Sequence, residues 1–285
     1  MRICTASFWF SIFLLLVPST LVADSSCYWD STRIQFSGDR IQQALCLTPK
    51  IRASGVVEKV EGGLPSTFDE LVGREFDFSR EAVESYAARH GLRDDEVGGA
   101  LNLRVSKAHG NTALYFVLHD SNGPDFGNHS FTPDINVSPR INNLRQFGRR
   151  WHVLIGRDGS SATLIDFFQP LRSSYFEARE AGAKAKGRFL HVGLLLPIRS
   201  VENGAESNFG GVIPDPAYTR DQYRRLAQVY VIASSRAGRW LIPAYASQLN
   251  QYGRAPVFIG GPKGFDLTQW AKALRSVYRE IYSNR

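Results

Sequence analysis

The sequence predicts an α/β protein whose mixed central sheet is covered by helices. Three observations carry that expectation. Short apolar runs with strand character, "LYFVLHD", "WHVLIGRDGSSATLIDF" and "RFLHVGLLLPI", crowd the middle of the chain. Two capped amphipathic helices follow them, one from Thr219 and one from Asp266. The 285 residues are 43% hydrophobic, enough to bury a substantial core. Strands first and covering helices afterwards make an α/β or α+β sandwich.

The elements follow in chain order. Residues 1–23 carry one positive charge at Arg2, an apolar run from Phe8 to Val17, and small or aliphatic residues up to Ala23. That is the grammar of a secretory signal peptide cut after Ala23. The run is shorter than the roughly 20 residues a membrane span needs, and no later window is apolar enough to make one. The mature protein is therefore expected to be exported, periplasmic or secreted, with no membrane span after cleavage. Cys4 leaves with the signal, so Cys27 and Cys46 remain as an even pair. In an oxidising compartment they are expected to form one disulfide, which stabilises by roughly 3 kcal/mol in the chain-entropy model. No CxxC spacing or neighbouring histidine suggests a metal at these cysteines.

Residues 24–112 read as an N-terminal extension stapled by that bond, with Gly-rich punctuation around one helix. Ser79 is its N-cap, Val83, Tyr86 and Ala87 share a face, and Gly91 supplies the stop. Residues 113–285 read as the main domain. "LYFVLHD" is a buried strand that ends on His119. The next pair of strands turns at Asp158-Gly159, a dipeptide that hairpins favour. "RFLHVGLLLPI" is apolar almost throughout, as a central strand is. Thr219 with Gln222 forms a capping box, and Tyr223, Leu226, Ala227, Tyr230 and Val231 trace one face of the helix it opens, with Gly238 near the exit. Asp266 precedes a last helix with Leu267, Trp270, Leu274, Val277 and Ile281 on its buried face.

The formal charge of +7 falls to +6 without Arg2, and the pI is about 9.4. A basic exported protein meets anions such as cell-wall polymers. Lys and Arg are scattered and no RNP-like or zinc-finger pattern occurs, so nucleic acid is not an expected partner. GxSxG, P-loop and strand-borne GxGxxG signatures are absent, and Asp94-Asp95 are adjacent, so their carboxylates diverge rather than flank a glycosidic bond.

"FVLHDS", "WHVLIGRDGS" and "YTRDQYRRLAQVY" together resemble the zinc N-acetylmuramoyl-L-alanine amidase family, which shares its fold with peptidoglycan recognition proteins. The resemblance covers about 60% of the mature chain and implies an amidase-like fold directed at the lactyl–alanine amide of peptidoglycan, or at muropeptides. It makes His119 a zinc ligand at the end of the first strand. It places a second ligand within 240–250, where Ala244-Tyr245-Ala246-Ser247 puts Ala246 in the histidine position, and a third within 258–267, which reads "FIGGPKGFDL". On the central strand Gly193 stands where the family often has a glutamate, and no histidine lies beyond His191. Catalytic zinc takes three protein ligands and one water, and glycine or alanine cannot replace them. Hydrolysis is thus expected to be weakened or lost, leaving a groove that binds without cutting.

Two other readings stand beside it. An active zinc amidase would use unconventional ligands around His119, with His152 or Glu177 as catalytic candidates; His119, His152 and His191 all lie on predicted strands, but their faces depend on register. A non-catalytic envelope interaction module would need no metal. His119 and Asp120 are candidate substrate-binding residues, as is Lys263, although Asp120 and Asn122 also suit a turn after the strand. His152 and His191 read equally as half-buried strand histidines, and Glu177 as a loop carboxylate able to reach a groove. Asn128 begins an "NHS" glycosylation sequon, meaningful only in a eukaryotic secretory pathway.

Overall fold

The computed structural model describes residues 27–58, 62–200, 211–252 and 261–283; the expected signal peptide, residues 1–23, lies outside them. A two-stranded ribbon comes first, β1 (Trp29–Asp30) with β2 (Gln35–Phe36), followed by α1 (Arg40–Leu47), α2 (Ser66–Leu71) and α3 (Arg80–Arg89). A second small ribbon, β3 (Lys107–Ala108) and β4 (Asn111–Thr112), leads into the main sheet. That sheet holds β5 (Tyr115–Asp120), β6 (Val153–Ile155), β7 (Ser161–Thr163), β8 (Phe189–Leu194) and β9 (Ile242–Tyr245). The remaining helices are α4 (Arg220–Ala237), α5 (Ala246–Gln251) and α6 (Leu267–Tyr282).

The sheet order is β7-β6-β8-β5-β9. β6, β8, β5 and β9 are parallel, and β7 closes one edge antiparallel to β6. The fold is therefore α/β with a mixed sheet. β8 and β5 have a strand on each side, and all six residues of each are buried. This is why both read as unbroken apolar runs rather than alternating ones. The β6–β7 hairpin turns at the expected place, with Gly159 at φ +79° and the Gly156 N–H donating to the Ser160 carbonyl at 2.8 Å.

Caps fix the helices where the sequence places them. Thr219 accepts from the Gln222 backbone while the Gln222 side chain accepts from Thr219, and Asp39 with Gln42 makes the same box at α1. α4 ends on Gly238 in the left-handed region at φ +72°. α6 presents Trp270, Leu274, Val277 and Ile281 to the interior, with Leu267 half-buried at its start.

α4 and α6 cover one face of the sheet, where Phe116 meets the rings of Tyr230 at 5.1 Å and Trp270 at 6.0 Å. The other face is covered by the N-terminal ribbon and by Phe176. Tyr115 stacks on Phe189 at 5.0 Å, and Trp29 and Phe36 pack against Phe176 at 5.3 and 5.4 Å. Residues before 113 thus share one core with the sheet, from Phe36, Phe68 and Val83 to Trp270 and Ile281. The Cys27–Cys46 disulfide is present, its Cα atoms 6.4 Å apart, and ties β1 to α1 beside β9. No helix among the described residues is long and apolar enough to cross a membrane.

Tyr115 bolts the N-terminal segment to the sheet. Its buried hydroxyl accepts the Phe36 N–H at 2.7 Å and donates to Gln43 Oε1 at 2.8 Å. Tyr115→Phe leaves a buried N–H without an acceptor, which costs about 1–3 kcal/mol. Urea unfolding of the two proteins measures this loss, and a difference below about 0.5 kcal/mol would show that the segment is not held there.

Candidate functional site

Parallel pairing of β5 with β8 sets Val117 opposite His191 and His119 opposite Gly193. Side chains two apart on a strand share a face, so His119 and His191 project on the same side of adjacent strands. His119 Nε2 lies 3.0 Å from His191 Nδ1. His191 Nε2 in turn lies 3.0 Å from Glu177 Oε2. That second approach is too bent for a directed hydrogen bond, so it is chiefly an electrostatic contact.

Glu177 opens a single π-helical turn, 177–181, rather than a loop. Such turns insert one residue and re-aim a side chain; here the carboxylate points inward and is 1% exposed. Its Oε2 accepts from the Ser173 N–H at 3.2 Å, the Ser174 N–H at 3.1 Å and the Ser174 hydroxyl at 2.8 Å. Its Oε1 has no partner.

His152 sits one residue before β6 and its ring stacks parallel to that of His191, centroids 5.8 Å apart. Both of its ring nitrogens are engaged by backbone: Nδ1 accepts the His191 N–H at 2.9 Å and Nε2 lies 3.0 Å from the Gln169 carbonyl. Nδ1 is therefore the bare nitrogen and Nε2 carries the proton. Burial, with His191 adding to it, pushes His152 down to about 3. His152 and His191 are wholly buried rather than half-buried. Burial first, then His191 and His152, also holds His119 well below the usual histidine range.

The positions that the family resemblance assigns to metal chemistry are filled differently. The β5–β9 register pairs Leu118 with Tyr245, so the next residues along are His119 and Ala246, and Ala246 is buried. Gly193 is covered by Trp151: a Cβ there would lie 2.7 Å from Trp151 Cδ2 and 2.9 Å from Leu154 Cδ1. Further on, a Cβ at Gly261 would overlap the Ser247 hydroxyl. Among the described residues no group of three or more His, Cys, Asp or Glu side chains is arranged to hold a metal ion. The donors present do not make the three-ligand set of a catalytic zinc. Residues 258–260 of the expected third-ligand segment lie outside the described residues.

Asp120 leaves the opposite face of β5. It is 4% exposed, and neither carboxylate oxygen has a hydrogen-bond partner among the described residues. Burial pushes it up to about 6, with Lys263 partly offsetting this. The Lys263 ammonium itself reaches the Asn122 side-chain oxygen at 3.2 Å. Asn122 adopts φ +46°, and Ser121 Oγ donates to the Gly123 carbonyl at 2.6 Å, so the side-chain bond in the turn after the strand comes from Ser121 rather than from the expected Asp120 or Asn122. Beyond it a cleft of about 450 Å³ opens, lined by Phe126, His129, Asp134 and Arg140. Phe126 belongs to the satellite cluster that contains Trp151, which places the cleft on the Trp151 side of His119.

Comparison with protein-family models, curated proteins and solved structures finds no match to this chain. The site is therefore interpreted from its own residues. The structure brings His119, His191 and Glu177 together and keeps His152 beside them through backbone contacts. It sets Asp120 and Lys263 apart on the far side of the strand. Trp151 and the pairing of His191 with Glu177 are absent from the sequence reading. Only the aromatic beside His152 hinted at the first, and nothing in one strand foretold the second.

Asp120 gives a pH-dependent prediction. Its folded value lies above the ordinary 3.8, so the protonated form favours folding. That contribution is full below about pH 4 and is lost as pH rises through about 6. Asp120→Asn removes the ionisation and should leave stability unchanged near pH 3.5 relative to wild type. At pH 8 it should raise stability by up to about 3 kcal/mol. Denaturant titrations at both pH values measure the difference, and equal effects at the two would contradict the burial account.

Proposed function

We propose that this is an exported cell-wall protein whose amidase-like domain binds peptidoglycan or muropeptides without ordinary zinc-dependent hydrolysis. The observation that carries the reading is the surroundings of His119. The residue just after β9 where a second ligand would stand is Ala246, the first of α5, and the space above Gly193 is closed by Trp151. His119 stays in place while its Nε2 faces His191 rather than a free coordination position.

The sheet supports the reading in a second way. In parallel α/β sheets, ligands bind beyond the carboxyl ends of the strands. His119 is the penultimate residue of β5, and the cleft with Phe126, His129 and Arg140 follows shortly after in the chain. Exposed Arg140 suits the carboxylates of a peptide stem, and the basic surface suits an anionic polymer.

Purified mature protein should co-sediment with peptidoglycan sacculi at physiological salt. His119→Ala should weaken retention about tenfold, equivalent to ~1.4 kcal/mol. Plasma mass spectrometry after refolding with excess zinc should find the metal near background. No retention on sacculi would remove the peptidoglycan reading. Stoichiometric zinc that His119→Ala abolishes would restore an active amidase.

A further inference from the structure

Glu177 and His191 are buried, polar and unused by any groove-facing role, and their geometry sets the polarity of the whole chain of groups. Three donors converge on Glu177 Oε2. A proton on Oε1 would find no acceptor, because that oxygen is buried without a partner. The carboxylate is therefore the accepting group. A bare His191 Nε2 would set its lone pair against Oε2 at 3.0 Å, so Nε2 carries the proton.

His191 is fully buried between two other imidazoles, and as a neutral ring it carries a single proton. Its Nδ1 is then bare and accepts from His119 Nε2–H. One ring nitrogen of neutral histidine donates and the other accepts, so His119 is left with a bare Nδ1. That nitrogen makes no hydrogen bond among the described residues, and His119 keeps a 5% opening to the surface.

We infer that Glu177 and His191 are positioning residues that lock His119 as the Nε2–H tautomer, so that its Nδ1 accepts a hydrogen bond from an amide N–H of the bound peptide stem. The ligand half of this inference rests on the peptidoglycan reading. The tautomer half stands on the protein alone. Orientation of one imidazole by a buried carboxylate is a general device for fixing which nitrogen is free; here a second imidazole is interposed.

Long-range ¹H–¹⁵N spectra of ¹⁵N-histidine-labelled protein at neutral pH test both halves, with the His119 signals identified by their loss in His119→Gln. In ligand-free wild type, His119 should show a protonated Nε2 and an unprotonated Nδ1. A protonated His119 Nδ1, or a doubly protonated His191, would overturn the positioning role whatever the ligand. Glu177→Ala removes the acceptor set against His191 Nε2, so His191 no longer has to carry its proton there. That variant should therefore move His119 toward the Nδ1–H form and weaken muramyl dipeptide binding about tenfold. An unchanged His119 tautomer in a folded Glu177→Ala protein would overturn the inference, and the wild-type spectrum decides the tautomer if the variant does not fold. Adding muramyl dipeptide to wild type should shift the His119 Nδ1 resonance. A correct tautomer without that shift would overturn the ligand half and leave the positioning role intact.

Discussion

The parallel pairing of β5 with β8, in the register that sets Val117 against His191, is the constraint on which the rest of this structure depends. It puts two imidazoles on one face of adjacent strands and leaves Gly193 opposite His119. A slip of one residue would send His191 to the helix-covered face and bring an aliphatic side chain in its place. The two central strands are buried on both faces, so the slip would also expose apolar surface or bury polar groups without partners.

Around that pairing the polar groups face one another. Full burial makes an unpaired imidazole or carboxylate costly; His152 bonds backbone at both ring nitrogens, His191 meets His119 at Nδ1 and the Glu177 carboxylate electrostatically at Nε2, and Glu177 Oε2 accepts from the Ser173–Ser174 turn while its Oε1 has no hydrogen-bond partner among the described residues. Trp151 seals the space over Gly193. Nε2 of His119 is thereby turned toward the protein's own core. Asp120 differs: its buried carboxylate on the other face has no side-chain hydrogen-bond partner among the described residues, and burial pushes it up to about 6 against the opposing effect of Lys263.

Much of the fold was legible in the sequence because its signals are local. Thr219 with Gln222 and the Asp158-Gly159 turn are caps and turns set by neighbouring residues, and α6 follows from a strong 3.6-residue period. The Cys27–Cys46 bond followed from counting. The site was legible only in part. His119 at a strand end could be seen, but whether it meets His152, His191 or neither depends on register, which no single strand encodes. Glu177 read as a loop carboxylate because a one-turn π-helix has no sequence signature, and its inward aim is set by Phe176 packing on Phe189 and Phe36. The docking of residues before 113 was hidden for the same reason: the Tyr115 bonds to Phe36 and Gln43 span more than 70 residues of chain.

Glu177, His191 and His119 act as one unit, and a double-mutant cycle of Glu177→Ala and His191→Gln, measured by urea unfolding, puts this to the test. A coupling of about 1–3 kcal/mol between the two substitutions is expected. Additivity within about 0.3–0.5 kcal/mol would mean that the groups are neighbours without a shared role, and the ordering of His119 would need another cause.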